Sequence, residues 1–340
     1  MLIAGDIGGT KTLLAFYTEE SGPRNPTIVR EFPSGKFAGL ADVVRAFLEE
    51  VKQPVTAACF DVAGPVIGGR AHLTNLPWLV DEAALARDLG LAQVSVINDL
   101  KAVAYAVPHL QDADLRTINE GKPEPHGTIG IIAPGTGLGE AFLIWSGNDY
   151  IPCASEGGHA DFGPADPLQV ALRDHLARKF GHVAYERVCS GSAIPEMYEF
   201  LRATKPEAEP PGFAAKLAAA QDRTPLIVAA AMQESAANRL ALATVDLFVS
   251  ILGAEAGNLA LKVLATGGVY LAGGMPPRVL SRFEAGAPDG RFMRAFTAKG
   301  RLGELLGTIP VKVIVTRSAL FGAALYGLAA LRASPSAAPR

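Results

Sequence analysis

Residues 1–17 read MLIAGDIGGTKTLLAFY, one apolar run set against another across a turn that holds Asp6, Gly8, Gly9, Thr10 and Lys11. Apolar stretches this short, separated by glycines, predict two strands joined by a tight hairpin. A second stretch, TIGIIAPGTGLGEAFLIWS at 128–146, repeats the pattern: a β-rich run, the turn Gly135, Thr136 and Gly137, and another β-rich run. Two familiar phosphate loops are excluded. A Walker A loop needs Gly-Lys-Ser/Thr opening a helix, whereas Thr10 separates Gly9 from Lys11 and TLLAFY follows as a strand. A dinucleotide fingerprint also opens a helix, whereas Gly135, Gly137 and Gly139 are spaced by two and lead into AFLIW.

Either turn alone reads equally well as a plain hairpin. Two in the same context point to a pair of phosphate grips, because glycine lets main-chain N–H groups approach an anion closely. Thr10 and Thr136 add hydroxyl donors. Asp6, at the end of the first strand, cannot bind phosphate but can hold the water shell of a Mg²⁺ ion.

Working outward, Leu40, Val43, Val44, Phe47, Leu48 and Val51 fall on one helical face, while VTAACFDVA and VSVIND are short β-rich runs. The order strand, strand, strand, helix, strand, helix, strand, helix to about residue 108 predicts an α/β half whose sheet begins antiparallel. Beyond 146 the sequence predicts helices, including a long apolar pattern from Pro225 to about Lys262. The strand and turn GGVYLAGGMPP, the strand VKVIVT and the helix ALFGAALYGLAAL follow. That helix carries small residues on one side and is expected to pack between lobes. Residues 205–212, KPEAEPPG, read as a surface linker, and the tail as unstructured.

The 340 residues exceed one ordinary core, so two lobes are expected. Hydrophobic residues make up 49% and charged residues 19%, a globular balance, and the net charge of −3 offers no field for nucleic acid. Cys59, Cys153 and Cys189 are odd in number and far apart, which suggests small apolar residues in a reducing compartment, with no disulfide framework. No cationic leader precedes the first strand, and charges interrupt the apolar region 226–264, so neither a signal peptide nor a membrane span is expected. A cytoplasmic protein with small-molecule partners fits these observations.

Asp99 follows the strand VSVI and precedes the helical pattern LKAVAYAV, at the carboxyl end of a strand where α/β sheets bind ligands. An Asp there reads equally as a helix cap. Glu156, His159, Asn98 and Glu186 are residue types that pair with hydroxyl groups. Glu156 and His159 also fit a surface loop, or a metal site with Asp161, and Glu186 fits an ion pair with Arg187.

The segments GDIGGTKT, INDLKAVAYAVP, APGTGLG, EGGHADF, HVAYERVCSG and LAGGMPPR, in this order and to about residue 330, resemble the bacterial glucokinase family, within the superfamily of sugar kinases, actin and heat-shock chaperone ATPases. The resemblance implies two RNase H-like lobes, each a mixed α/β sheet with flanking helices, around a central cleft that closes on the sugar. The smaller lobe would span 1–109 with about 318–332, the larger 110–317, and 333–340 would be a flexible tail. The implied reaction is ATP- and Mg²⁺-dependent phosphorylation of glucose, by a homodimer. Asp99 would be the catalytic base, and Asn98, Asp99, Glu156, His159, Glu186 and Asn75 would bind glucose. Gly8, Gly9, Thr10, Gly135, Thr136 and Gly137 would hold the phosphates, Asp6 and Lys11 would belong to the same nucleotide site, and Gly273 and Gly274 would lie beside the adenosine.

Lys11 stands where this family often carries Asn, as in the related ROK sugar kinases. The cysteine cluster that holds zinc in most ROK members does not follow His159, so no structural zinc is expected. Other readings are a kinase for fructose, mannose or an N-acetylated amino sugar, a sugar-sensing regulator, and a chaperone-like ATPase. The regulator would need a helix-turn-helix before residue 6, and the chaperone partner-binding insertions.

Overall fold

The first strand, β1 (Leu2–Ile7), is apolar on both faces because helices cover both sides of its sheet. The computed structural model describes residues 1–333 apart from 19, 74, 75, 205–208, 234 and 284–289. Its chain divides into two units, Met1–Leu110 with Thr316–Arg340, and Gln111–Val315.

In the first unit β1 pairs antiparallel with β2 (Lys11–Tyr17), which pairs antiparallel with β3 (Ile28–Pro33). Helix α1 (Leu40–Val51) follows, burying Val43, Val44 and Phe47 against Ile3, Leu14, Phe16 and Phe60. Each such fully buried side chain contributes about 1.5–3 kcal/mol over exposure. Lys52 closes the helix in the left-handed region, φ 51°, its N–H donating to Leu48 O at 3.2 Å. Strand β4 (Ala57–Val62) joins the other edge of β1 in parallel. A small hairpin, β5 (Arg70–His72) and β6 (Leu79–Asp81), then leads to α2 (Glu82–Leu89), β7 (Gln93–Asn98) and α3 (Asp99–Ala106). The hairpin is an addition to the expected order; its strands of three residues are too short to show an alternation in sequence. The sheet runs β3-β2-β1-β4-β7.

The second unit opens on β8 (Leu115–Asn119), then repeats the motif with β9 (Ile129–Pro134), β10 (Leu138–Trp145) and β11 (Tyr150–Ser155). Helices α4 (Pro167–Phe180), α5 (Ala193–Thr204), α6 (Phe213–Ala219), α7 (Thr224–Ala231) and α8 (Arg239–Val263) come next. The expected apolar run from Pro225 to Lys262 is therefore two helices. Between them Ser235 turns its hydroxyl onto the Ala237 N–H, and Asn238 donates to Gln233 Oε1 at 3.2 Å, local bonds that compete with continued helix.

Helix α8 lies in a 28-residue helical stretch long and apolar enough to cross a membrane, yet 83% of its most apolar window is buried inside the protein. Strand β12 (Gly268–Leu271), helices α9 (Arg291–Thr297) and α10 (Gly303–Thr308), and β13 (Val311–Ile314) complete the unit. Its sheet runs β11-β10-β9-β12-β13-β8, so β11-β10-β9-β12-β13 matches the strand order and directions of the first unit, with β8 added at the edge.

The last helix, α11 (Ser318–Ala333), belongs to the first unit, where Leu320, Ala323, Ala324 and Leu328 pack on Leu2, Ala4, Cys59 and Ala102. Its small residues serve this packing within the first unit. A Cβ at Gly322 would fall on the carbonyl of Ala102, and one at Gly327 would stand 2.8 Å from Leu2 Cδ1. Cys59 and Cys189 are buried free thiols, as expected of small apolar residues, while Cys153 is half-buried on β11. The tail from residue 334 onward and the first part of the 205–212 linker lie outside the described residues.

Candidate active site

The parallel register sets Asp6 of β1 beside Asp61 of β4, and Val62 beside Asn98 at the end of β7. Three adjacent strands thus deliver polar residues to their carboxyl ends. Asn98 caps α3: its Oδ1 accepts the N–H of Leu100 at 3.0 Å and of Lys101 at 3.1 Å, and its Nδ2 donates to Gly64 O at 3.0 Å. The capping alternative raised for Asp99 therefore belongs to its neighbour. Asp99, in the first turn, is half-buried; its Oδ1 accepts from Asn98 Nδ2 at 2.9 Å and Leu100 N at 2.8 Å. Burial pushes its carboxyl up to about 6 against the pull of the Leu100 N–H, and the Asp6 charge adds to the rise.

Asp61 is a residue that the sequence reading passed over. It is fully buried, and neither carboxyl oxygen has a hydrogen-bond partner among the described residues. Burial, then the charges of Asp6 and Asp99, push its carboxyl well above the ordinary range. Burial raises Asp6 too, opposed by the Arg317 charge. A charged residue inside the apolar run AACFDV was the available signal. Carboxylate oxygens are the hard ligands that Mg²⁺ takes, but no group of three or more His, Cys, Asp or Glu side chains placed to hold a metal ion occurs among the described residues.

In the first turn Gly8 N–H donates to Lys11 O at 2.9 Å, closing a hairpin with Gly9 and Thr10 at its tip, where Thr10 is exposed. Ser34, just after β3, braces the turn: its N–H donates to Thr10 O at 3.0 Å and its Oγ–H donates to Gly8 O at 2.8 Å. Lys11 lies on β2 with its ammonium 2.5 Å from Glu31 Oε1.

The second turn is locked by three neighbours. Gly191 N–H donates to Gly135 O at 2.7 Å, Ser192 N–H to Thr136 O at 3.3 Å, and Met275 N–H to Pro134 O at 3.0 Å. Gly273 has φ +80°, and a Cβ there would stand 2.7 Å from Pro134 O, so both backbone conformation and space require glycine. Glu186 Oε2 accepts the N–H of Leu138 at 3.0 Å. The alternative ion pair with Arg187 gives way to this bond, and the Arg187 guanidinium lies 4.4 Å over the Phe180 ring.

Glu156 and His159 flank a short turn after β11, both exposed, with His159 Nε2 4.0 Å from Glu156 Oε2. Asp161 pairs instead with His182, Nε2 to Oδ1 at 2.7 Å, which separates it from the metal alternative. The candidates thus form two sets, one per unit. Asp6, Gly8, Gly9, Thr10, Lys11, Asn98 and Asp99 belong to the first, and Gly135, Thr136, Gly137, Glu156, His159, Glu186, Gly273 and Gly274 to the second. Asn75 lies outside the described residues.

Comparison with known proteins bears on this arrangement. The chain is 41% identical over 338 residues to the glucokinase of Nostoc punctiforme, covering 96% of this chain and 98% of the relative. Among solved structures it is similar to a glucokinase from an Antarctic psychrotroph, at 31% identity and a TM-score of 0.76, with 96% and 98% of the two chains covered. A ROK-family glucokinase from Streptomyces griseus, solved with glucose and AMPPNP, shares the fold at 20% identity and a TM-score of 0.64, with 96% and 99% covered. These neighbours carry the actin-like ATPase fold, as do the two repeated sheets described above. The glucokinase family model matches residues 3–330, and with identity sustained across nearly the whole chain, the chain belongs to the glucokinase family.

Proposed function

We propose that this chain transfers the γ-phosphoryl group of ATP to the 6-hydroxyl of D-glucose, giving glucose 6-phosphate and ADP. The observation that carries the mechanism is Asp99, a half-buried carboxyl at the carboxyl end of β7, oriented by the Asn98 amide and raised to about 6. At neutral pH it is ionised yet more basic than an ordinary carboxylate, as a general base should be. It accepts the proton of the sugar hydroxyl as that oxygen bonds to the γ-phosphorus; the bond from phosphorus to the bridging oxygen breaks, and the electron pair leaves with ADP.

Asn98, Glu156, His159, Glu186 and Asn75 supply donors and acceptors for the other hydroxyl groups, and a site that pairs each of them rejects sugars lacking one. Gly8, Gly9 and Thr10, with Gly135, Thr136 and Gly137, present N–H and hydroxyl groups to the phosphates, while Gly273 and Gly274 leave room for the adenosine. The pairing with Glu31 supports a role for Lys11 in holding its turn. Asp6 would hold Mg²⁺ through water, with Asp61 behind it, and the ion would neutralise charge on the phosphates. Free, buried thiols support a reducing cytoplasm, and the family resemblance supports a homodimer.

The test is ATP-dependent phosphorylation of glucose, mannose, fructose, galactose and N-acetylmannosamine, with Asp99→Asn alongside. Preference for glucose, with kcat reduced about 10²–10⁴-fold in the variant while glucose still binds, is the expected result. Preference for another hexose overturns the assignment of the hydroxyl contacts, and turnover of none overturns the kinase.

A further inference from the structure

The glycine turns of the two units are pinned at corresponding carbonyls, by different means. In the second turn both pins are main chain: Gly191 N–H holds the carbonyl of Gly135, which opens the turn, and Ser192 N–H holds that of Thr136. In the first turn both come from one residue. Ser34 donates Oγ–H to the carbonyl of Gly8, which opens that turn, at 2.8 Å, and its backbone N–H to that of Thr10 at 3.0 Å. Of these four pins, the one on Gly8 is made by a side chain, so a substitution can remove it.

Ser34 is fully buried, as is Thr12 of β2, whose Oγ1 lies 2.9 Å from Ser34 Oγ. A serine hydroxyl carries one hydrogen, and that of Ser34 is given to Gly8, so Thr12 is the donor between the two. The bonds therefore run in series from the Thr12 hydroxyl through Ser34 to the Gly8 carbonyl. A trans peptide is planar, with its C=O and N–H on opposite sides. Drawing the Gly8 carbonyl inward to a buried hydroxyl thus turns the Gly9 N–H of the same peptide away from the interior. Neither glycine has a side chain to resist rotation of this unit, so its direction depends on the bond.

We propose that Ser34 is a positioning residue for the first phosphate turn, holding the Gly8–Gly9 peptide so that the Gly9 N–H faces the phosphates of ATP. The inference rests on the reading of Gly8, Gly9 and Thr10 as a phosphate grip. A donor aimed before the nucleotide arrives loses little on binding, whereas a free glycine peptide has to be ordered at that moment. The bond from Gly8 N–H to Lys11 O and the pairing of Lys11 with Glu31 close the turn without touching this peptide, and leave its direction to Ser34.

The experiment compares Ser34→Ala, Thr12→Val and Thr10→Ala with the wild type in KM for ATP, KM for glucose, kcat and melting temperature. Ser34→Ala and Thr12→Val each remove one hydroxyl of the buried pair and should lower the melting temperature by comparable amounts, but only Ser34→Ala frees the Gly8 carbonyl. Ser34→Ala should raise the ATP KM about 3–10-fold, the worth of one hydrogen bond, with the glucose KM nearly constant. Thr12→Val should keep the ATP KM within about twofold of wild type, because Ser34 still donates to Gly8. A wild-type ATP KM in Ser34→Ala overturns the proposal. An equal rise in Thr12→Val, or a glucose KM that rises as far as that for ATP, also overturns it, since either marks a general loosening. Thr10→Ala, which removes a hydroxyl at the exposed tip, separates this proposal from the reading beneath it. If its ATP KM rises and that of Ser34→Ala does not, the phosphate grip stands and the role of Ser34 falls; if neither rises, both fall. A rise in Ser34→Ala alone supports the proposal and removes only the Thr10 hydroxyl from the grip.

Discussion

Glu186 Oε2 accepts the backbone N–H of Leu138 at 3.0 Å, so a candidate sugar ligand also fixes the residue that ends the second glycine turn. A Cβ at Gly137 would collide with the same carboxylate. The candidate sugar and phosphate contacts of the second unit thus share one brace, and removing the Glu186 side chain should be felt by both substrates.

Glu186→Gln keeps an oxygen that can accept the Leu138 N–H but loses the charge that favours sugar hydroxyl donors. Its glucose KM should rise about 10-fold, in keeping with a charge-assisted bond of roughly 1.5–3 kcal/mol, with the ATP KM nearly unchanged. Glu186→Ala removes the brace as well, and both KM values should rise. Steady-state kinetics with each substrate varied separates the two roles; equal effects of both variants on ATP would refute the link.

The fold was legible where side chains report a face. The repeated apolar-glycine-apolar pattern at 1–17 and 128–146 marks the two hairpins, because central strands covered on both sides are apolar throughout. Asp99 was legible from its place after a strand, but Asn98 as the true cap was not, since both residue types cap helices and only geometry decides between them. Asp61 carried a signal, an acid within AACFDV, yet its meaning depends on the β1–β4 register that sets it beside Asp6.

Helix α11 offers a stability test free of the chemistry. A Cβ at Gly322 would overlie the Ala102 carbonyl, whereas nothing lies within 4 Å of one at Gly307 in α10. Gly322→Ala should therefore destabilise the protein by about 1–3 kcal/mol through forced separation of α11 from α3. Gly307→Ala should be neutral or stabilising by up to about 1 kcal/mol, from helix propensity alone. Thermal melts of the two variants should differ in sign, with glucose KM unaltered in Gly307→Ala.

Asp99 links the pH dependence of rate to that of stability, with opposite signs. As a base it must be ionised, so kcat/KM should fall about tenfold per unit below its value of about 6 and level off above it. For folding, the raised value means that the native state holds the proton more tightly than the unfolded chain, whose Asp titrates near 3.9. This group's contribution is fully present below about pH 4 and is lost as pH rises through about 6, because burying the ionised form is costly. Asp99→Asn removes the ionisation, so its melting temperature relative to wild type should increase between pH 4 and pH 7 while its activity is lost. A variant whose relative stability is the same at both pH values would show that Asp99 ionises as freely in the native protein as in the unfolded chain. The acid limb of the rate profile should then lie near pH 4 instead of 6.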